Sequence, residues 1–317
     1  MKKAIGFALV ASVSLYTLTG VALAEAPKTL TVILPNLTNP YYVIMKNSFE
    51  ENGAKAGYDV KVLISDDDDA KQLSIAQTVA QQKTDAVVLN CVSSGPCPSA
   101  VLELNAADIP VFTINLLPDP DGLKQQNAKV VQSIETDQAA GGRFIGEQLL
   151  KEIGPNGSAT VGIVGQPTAV ATIQRDDGFK EGVAANPNVK VVALVDGKVQ
   201  ETTSLRVTTE MLQGNPAIDV VFSDTEAAAL GAAAAIESLG LEGKVTIYAY
   251  VDKEGVKRID NNSIFKAGAI QEPAKLAVMA IDGVTKHLAG ETIPASIMSP
   301  PLLVSKDNAK QVVDLAY

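Results

Sequence analysis

GYDVKVLISDDDDAKQLSIAQTVAQQKTDAVVLN, residues 57–90, contains one full unit of the fold. Asp59–Ile64 is a short run rich in β-branched residues, Ala70–Gln82 is an amphipathic helical pattern, and Asp85–Leu89 is a second apolar run. Two strands joined through a helix read as a parallel pair with a crossover. The acidic run SDDDDA, 65–70, lies where the first strand hands over to the helix. There it is expected to cap the helix and meet the positive end of its dipole. Calcium binding is the other reading, but no glycine-turned ligand loop surrounds the run.

The same alternation continues in both directions. Strands are expected at Thr29–Leu34, Val111–Ile114 and Lys129–Ile134, then at Ala159–Val164, Val189–Val195, Asp219–Phe222, Lys244–Tyr250 and Phe265–Ile270. Helical patterns cover Tyr41–Ala56, Asp137–Lys151, Arg175–Ala184, Glu201–Gln213, Glu226–Leu239 and Pro273–Leu288. The fold class is therefore α/β, with parallel sheets covered on both faces. Two successive sets of units predict two lobes of similar build.

The first 24 residues, MKKAIGFALVASVSLYTLTGVALA, combine Lys2 and Lys3, an apolar run, and small residues Ala22 and Ala24. That is the pattern of a cleaved export signal and predicts a periplasmic protein; an uncleaved anchor is the other reading. Removing them leaves 293 residues, enough for two domains. The mature chain carries 24 Lys and Arg against 36 Asp and Glu, a net charge of −12. With no basic block, a nucleic-acid or anionic-membrane partner is not expected. In an oxidising compartment Cys91 and Cys97 are expected to form a disulfide closing a small loop; two buried thiols are the alternative. No metal site is expected, because His287 is the one histidine and no third soft ligand is apparent.

Polar residues collect at the strand ends. Asn36, Asn39, Asn90 and Asn115 follow strands of the first set, and Gln166, Asp196, Asp224, Asp252 and Gln271 follow those of the second. In open α/β sheets this is the edge where ligands bind. Amides and carboxylates suit a ligand with many hydroxyl groups, although Asn and Asp also favour turns and caps for local reasons. No G-x-S-x-G elbow, Walker A, G-x-G-x-x-G or H-E-x-x-H sequence occurs, so an enzyme is not expected. GGRFIG, 141–146, falls within a helical pattern and reads as tight helix packing.

From NLTNPYY, Asn36–Tyr42, onward the chain resembles the ribose-type periplasmic solute-binding proteins. The likeness continues through residues 57–90, IPVFTIN, ETDQAAGG, RDDGFKEG, VVFSDTEAAALGAAAAIESLG and AIQEPAKLA, in family order. It implies two Rossmann-like lobes joined by a three-strand hinge, the type I periplasmic-binding-protein architecture. The first lobe would hold 25–136 and 272–300, and the second 137–271 and 301–317. It also implies ligand contacts from Asn39, Tyr41, Tyr42, Asn90, Asn115, Arg175, Thr225, Tyr250 and Gln271, with Tyr250 as a stacking aromatic and Gln271 as the hinge amide. The chain departs from the family at Asn115-Leu116, where an Asp-Arg pair is usual, and at Thr225, which replaces an Asn. Val199 falls where an aromatic is usual, and Val251 where a carboxylate is usual, with Asp252 one step on. Lost charge-assisted hydrogen bonds, each about 1.5–3 kcal/mol, argue against ribose itself. A polyol, a cyclitol, a deoxy sugar or another small neutral molecule is expected instead. The function implied is ligand capture for the permease of an ABC-type importer, by a monomer without cofactor, catalysis or membrane insertion. A sensor presenting its ligand to a chemoreceptor or histidine kinase is the alternative.

Overall fold

The computed structural model describes residues 27–261 and 264–317. The expected export signal, residues 1–24, lies outside the described residues. The chain first lays down β1 (Lys28–Leu34), α1 (Pro40–Lys55), β2 (Tyr58–Ile64), α2 (Asp69–Ala80) and β3 (Ala86–Leu89). It continues through α3 (Cys97–Ala106), β4 (Val111–Ile114), α4 (Pro120–Gln126) and β5 (Gln132–Thr136). A second series runs α5 (Gln138–Ile153), β6 (Ala159–Gly165), α6 (Val170–Val183), β7 (Val189–Asp196), α7 (Glu201–Gly214) and β8 (Val220–Ser223). It ends with α8 (Glu226–Ser238), β9 (Thr246–Tyr250), α9 (Lys253–Asp260) and β10 (Phe265–Ile270). The chain then returns through α10 (Pro273–Leu288) and β11 (Ser296–Ser299), and closes with β12 (Leu302–Ser305) and α11 (Ala309–Val312).

Two sheets result, ordered β11-β5-β4-β3-β1-β2 and β12-β10-β9-β8-β6-β7. The chain passes between them at Asp137, at Gln271–Glu272 and at Pro300–Pro301. The first sheet is parallel throughout. The second has one antiparallel edge, β12 on β10. The cause is the connection: β11 ends at the inter-sheet edge, and a two-proline step delivers the chain to the second sheet already at that edge. With no helix to return it, β12 must run back the other way.

Burial explains the apolar runs. Leu30–Leu34 is fully buried because both faces of β1 are covered. Val32 and Leu34 pack with Met45 and Phe49 of α1 and Leu276 and Ala280 of α10. Ile33 packs on the other face with Val79, Val101 and Leu104 of α2 and α3. Between α2 and its strand, Asp68 caps the helix, its Oδ1 accepting from the backbone N–H of Ala70 (2.8 Å) and Lys71 (3.0 Å). Asp67 accepts from Asn36 Nδ2 at 2.8 Å and Asp66 pairs with Lys71, so the acidic run is used locally.

In the second sheet, α5 and α6 touch backbone to backbone. A Cβ at Gly142 would lie 2.0 Å from the Arg175 carbonyl oxygen, and one at Gly178 would lie 2.0 Å from that of Ala139. This contact, the tight packing read from GGRFIG, brings Arg175 against the start of α5. Helix α6 begins at Val170, five residues before the expected start at Arg175. Its first turn lacks a side-chain cap, but Thr172 Oγ1 reaches the Gln166 (2.6 Å) and Ala169 (2.9 Å) carbonyl oxygens.

Candidate functional site

Both sheets turn their carboxyl edges towards one cleft, occupied by two adjoining cavities of about 230 and 280 Å³. Asn39, Arg175, Gln271 and Tyr317 line both. The first is completed from the second sheet by Val199, Thr225, Glu226, Tyr250, Val251 and Asp252. The other is completed by Tyr41, Tyr42, Asn115 and Leu116, with Gln138 and Ala171 opposite.

Local folding rules put these groups there. Asn39 caps α1 through Oδ1, which accepts from the Tyr41 N–H at 2.9 Å, and Pro40 starts the helix. Tyr41 and Tyr42 therefore sit on the first turn, rings edge-on with centroids 5.4 Å apart. Asn115 ends β4 with φ +61°, a left-handed conformation that Asn tolerates better than most residues. Its Oδ1 accepts from the Tyr41 hydroxyl at 3.1 Å. Thr225 caps α8 through Oγ1, at 3.3 Å from the Ala228 N–H.

Arg175 is the centre of the second side, only 8% exposed. Nε donates to Gln138 Oε1 and Nη1 to the Asp224 carbonyl oxygen, each at 2.8 Å. Its guanidinium lies 4.1 Å from the centroid of the Tyr250 ring. The observed partner of the Tyr250 ring is thus an arginine, and its hydroxyl donates to the Gln138 carbonyl oxygen at 2.6 Å. Gln138 Nε2 continues to Gln271 Oε1 (3.1 Å), and Gln271 Nε2 to the Tyr317 hydroxyl (3.2 Å). One chain of hydrogen bonds therefore links Arg175 and Tyr317 through the first two crossings between the sheets.

Burial sets the protonation of this wall. It raises the hydroxyls of Tyr41, Tyr42, Tyr250 and Tyr317 above the ordinary phenol range, so all four remain hydrogen-bond donors. Burial, helped by the Glu226 charge, pushes Asp252 up to about 7. Glu226 is also raised by burial, and its Oε2 accepts the N–H of Asp252 (2.6 Å) and of Gly255 (2.8 Å) at the start of α9. Behind Arg175, burial and the neighbouring Asp224 carboxylate push Asp176 up to about 7.

The structure thus brings Asn39, Tyr41, Tyr42, Asn115, Arg175, Thr225, Tyr250 and Gln271 to the cavity walls. Asn90 is placed differently. Its side chain is fully buried at the end of β3, and neither Oδ1 nor Nδ2 has a partner. Its backbone is satisfied, N–H to the Ile33 carbonyl (2.9 Å) and C=O from Gln72 Nε2 (3.0 Å). Next to it, Cys91 and Cys97 are joined as a disulfide. Asn36 and Asp196 organise turns: Asn36 Oδ1 accepts from the N–H of Asn39 at 2.9 Å, and Asp196 Oδ1 from that of Lys198 at 2.9 Å. Sequence reasoning missed Gln138, Glu226 and Tyr317. Gln138 had a signal, an amide just beyond a crossing; Tyr317 had none beyond being aromatic in a chain with few aromatics.

Residues 30–292 match the family described as periplasmic binding protein domain. The chain belongs to the periplasmic binding protein family. The curated relatives of this periplasmic binding protein include the ribose import binding protein of Bacillus subtilis, 28% identical over 313 residues, 95% of this chain and 98% of that one. The D-apiose import binding protein of Paraburkholderia graminis is 26% identical, over 94% of this chain and 93% of its own length. Among solved structures, an ABC transporter periplasmic solute binding protein from Actinobacillus succinogenes with bound D-allose has the same fold. Its TM-score is 0.77 at 24% identity, over 90% of this chain and 99% of that one. Among the described residues, no helix of this periplasmic binding protein is long and apolar enough to cross a membrane.

Proposed function

We propose that this protein captures a small neutral polyhydroxylated ligand, a sugar, polyol or cyclitol, between two lobes and delivers it to the permease of an ABC-type importer. It binds without chemistry, as an exported periplasmic subunit, and works as a monomer. The lobes are 25–136 with 272–300, and 137–271 with 301–317. The observation that carries this reading is the cleft wall itself. It combines amides at Asn39, Asn115, Gln138 and Gln271, the guanidinium of Arg175 and the carboxyl of Asp252 with the aromatic side chains of Tyr41 and Tyr42. Directional donors and acceptors beside aromatic faces match the alternating hydroxyls and C–H surface of such ligands. Because the groups come from both sheets, a bound ligand favours the closed arrangement of the lobes. The names of the relatives, import binding proteins for ribose and for D-apiose, support the same class.

The test is a panel of D-ribose, D-allose, D-apiose, D-glucose and myo-inositol against the purified mature protein. A true ligand at 100 times its Kd adds about 2.7 kcal/mol of stability. For a chain of this size that is a rise in Tm of about 4 °C. Calorimetry then gives the affinity. The absence of any shift or heat across sugars, polyols and cyclitols would overturn the proposal.

A further inference from the structure

We infer that Tyr317 is a specificity-determining residue of the cleft: its ring limits the size of ligand admitted, and its hydroxyl takes the polar partners that a further ligand hydroxyl would use. The inference rests on the cleft being the ligand site. Its basis is where this one side chain is held. The backbone around it is fixed to the second sheet's side: Ala309, Val312 and Ala316 are buried in one core with Val256, Ile259 and Phe265. The Lys253 N–H donates to the Tyr317 carbonyl oxygen at 3.0 Å. The ring nevertheless packs into the core of the first sheet, edge-on to Tyr41 with centroids 5.2 Å apart. Its hydroxyl accepts from Gln271 Nε2 at 3.2 Å and faces the Asp252 carboxylate.

Tyr317 therefore touches the first sheet, a crossing and the second sheet at once, and it lines both cavities. Each cavity alone is smaller than the range of about 300–1,000 Å³ common for drug-sized ligands, and merging them enters that range. A phenol ring at the boundary excludes a second sugar ring sterically, while Gln271 and Asp252 are already partnered and offer less to an extra hydroxyl.

The test compares wild type with Tyr317→Ala and Tyr317→Phe on the same panel with maltose added. Tyr317→Ala is expected to raise the affinity for maltose, relative to the preferred monosaccharide or cyclitol, by at least about tenfold. Tyr317→Phe is expected to keep maltose excluded and to change the affinity of the preferred compound about fivefold, the value of one neutral hydrogen bond. Should Tyr317→Ala lose its fold, Tyr317→Leu, which keeps an apolar contact on Tyr41, carries the same comparison. Unchanged ranking and affinities in folded variants overturn the inference. If wild type binds no member of the panel, the polyol reading fails, and p-cresol, the excised side chain, decides this one separately. Stabilisation of Tyr317→Ala but not of wild type by p-cresol supports a ring filling accessible cleft space. No shift in the variant overturns it.

Discussion

Replacing Arg175 by Ala separates what the guanidinium does for the protein from what it does for a ligand. Within the protein it makes two charge-assisted bonds of 2.8 Å, to Gln138 and to the Asp224 carbonyl, and covers the Tyr250 ring at 4.1 Å. Hydrogen bonds to charged groups contribute about 1.5–3 kcal/mol each, so Arg175→Ala should lower stability by roughly 3 kcal/mol. The guanidinium has five donors, and Nη2 is spent on none of these protein bonds. One charge-assisted bond from it to a ligand hydroxyl predicts at least a tenfold loss of affinity. Arg175→Lys should fall between, because an ammonium keeps the charge but cannot lie flat on Tyr250 while bonding both acceptors. Urea unfolding measures the first effect, and calorimetry with the preferred panel compound measures the second. Wild-type affinity in a folded Arg175→Ala protein would refute the assignment of this residue to the ligand.

Asn90 and Asp176 offer sharper contrasts. The Asn90 amide is buried with both polar atoms unpartnered, so Asn90→Leu should raise ligand-free stability by about 1–3 kcal/mol. If Asn90 serves the ligand, the same change weakens binding in calorimetry; lower stability with unchanged affinity would show a structural role instead. Asp176 is raised from 3.8 to about 7, so the folded protein holds this proton where the unfolded chain has released it. That contribution is complete below pH 4 and is lost as pH rises towards 7, by up to about 4 kcal/mol at about 1.4 kcal/mol per unit. Asp176→Asn should remove this slope and be more stable than wild type at pH 8; parallel urea profiles from pH 5 to pH 8 would contradict it.

The sequence revealed the parallel core because its strands are buried on both faces and therefore read as unbroken apolar runs, as in Val161–Val164 and Val220–Phe222. It hid the elements that lack that signature. Helix α3 starts as Cys-Pro directly after the disulfide loop, and α4 and α9 are only 7 and 8 residues long. Strands β11 and β12 are 4 residues each at sheet edges, where half-exposure dilutes the pattern. Site residues were legible where position and chemistry coincided at a strand end, as at Asn39, Asn115 and Gln271. Tyr317 was not, because only tertiary packing carries its ring across to Tyr41. Nor was the orphaned state of Asn90, a property of what surrounds it.

The departures from the ribose-type pattern change the two sides of the cleft unequally. On the second side Asp252, one step after Val251, lines the cavity with a carboxyl raised to about 7, and Arg175 brings a fixed charge. On the first side nothing replaces the pair lost at Asn115-Leu116, and the wall there consists of amides, tyrosines and a leucine. Hydrogen bonds to charged groups contribute about 1.5–3 kcal/mol against about 1 kcal/mol for neutral ones. On the proposed reading, a polyhydroxylated ligand is expected to be held most firmly by the second lobe. Closure would then add neutral bonds from Asn39 and Asn115 and apolar contact with Tyr41, Tyr42 and Leu116. A ligand that offers one less polar face, turned towards the first lobe, loses little there. A ligand hydroxylated on every side leaves groups unpaired against that same wall.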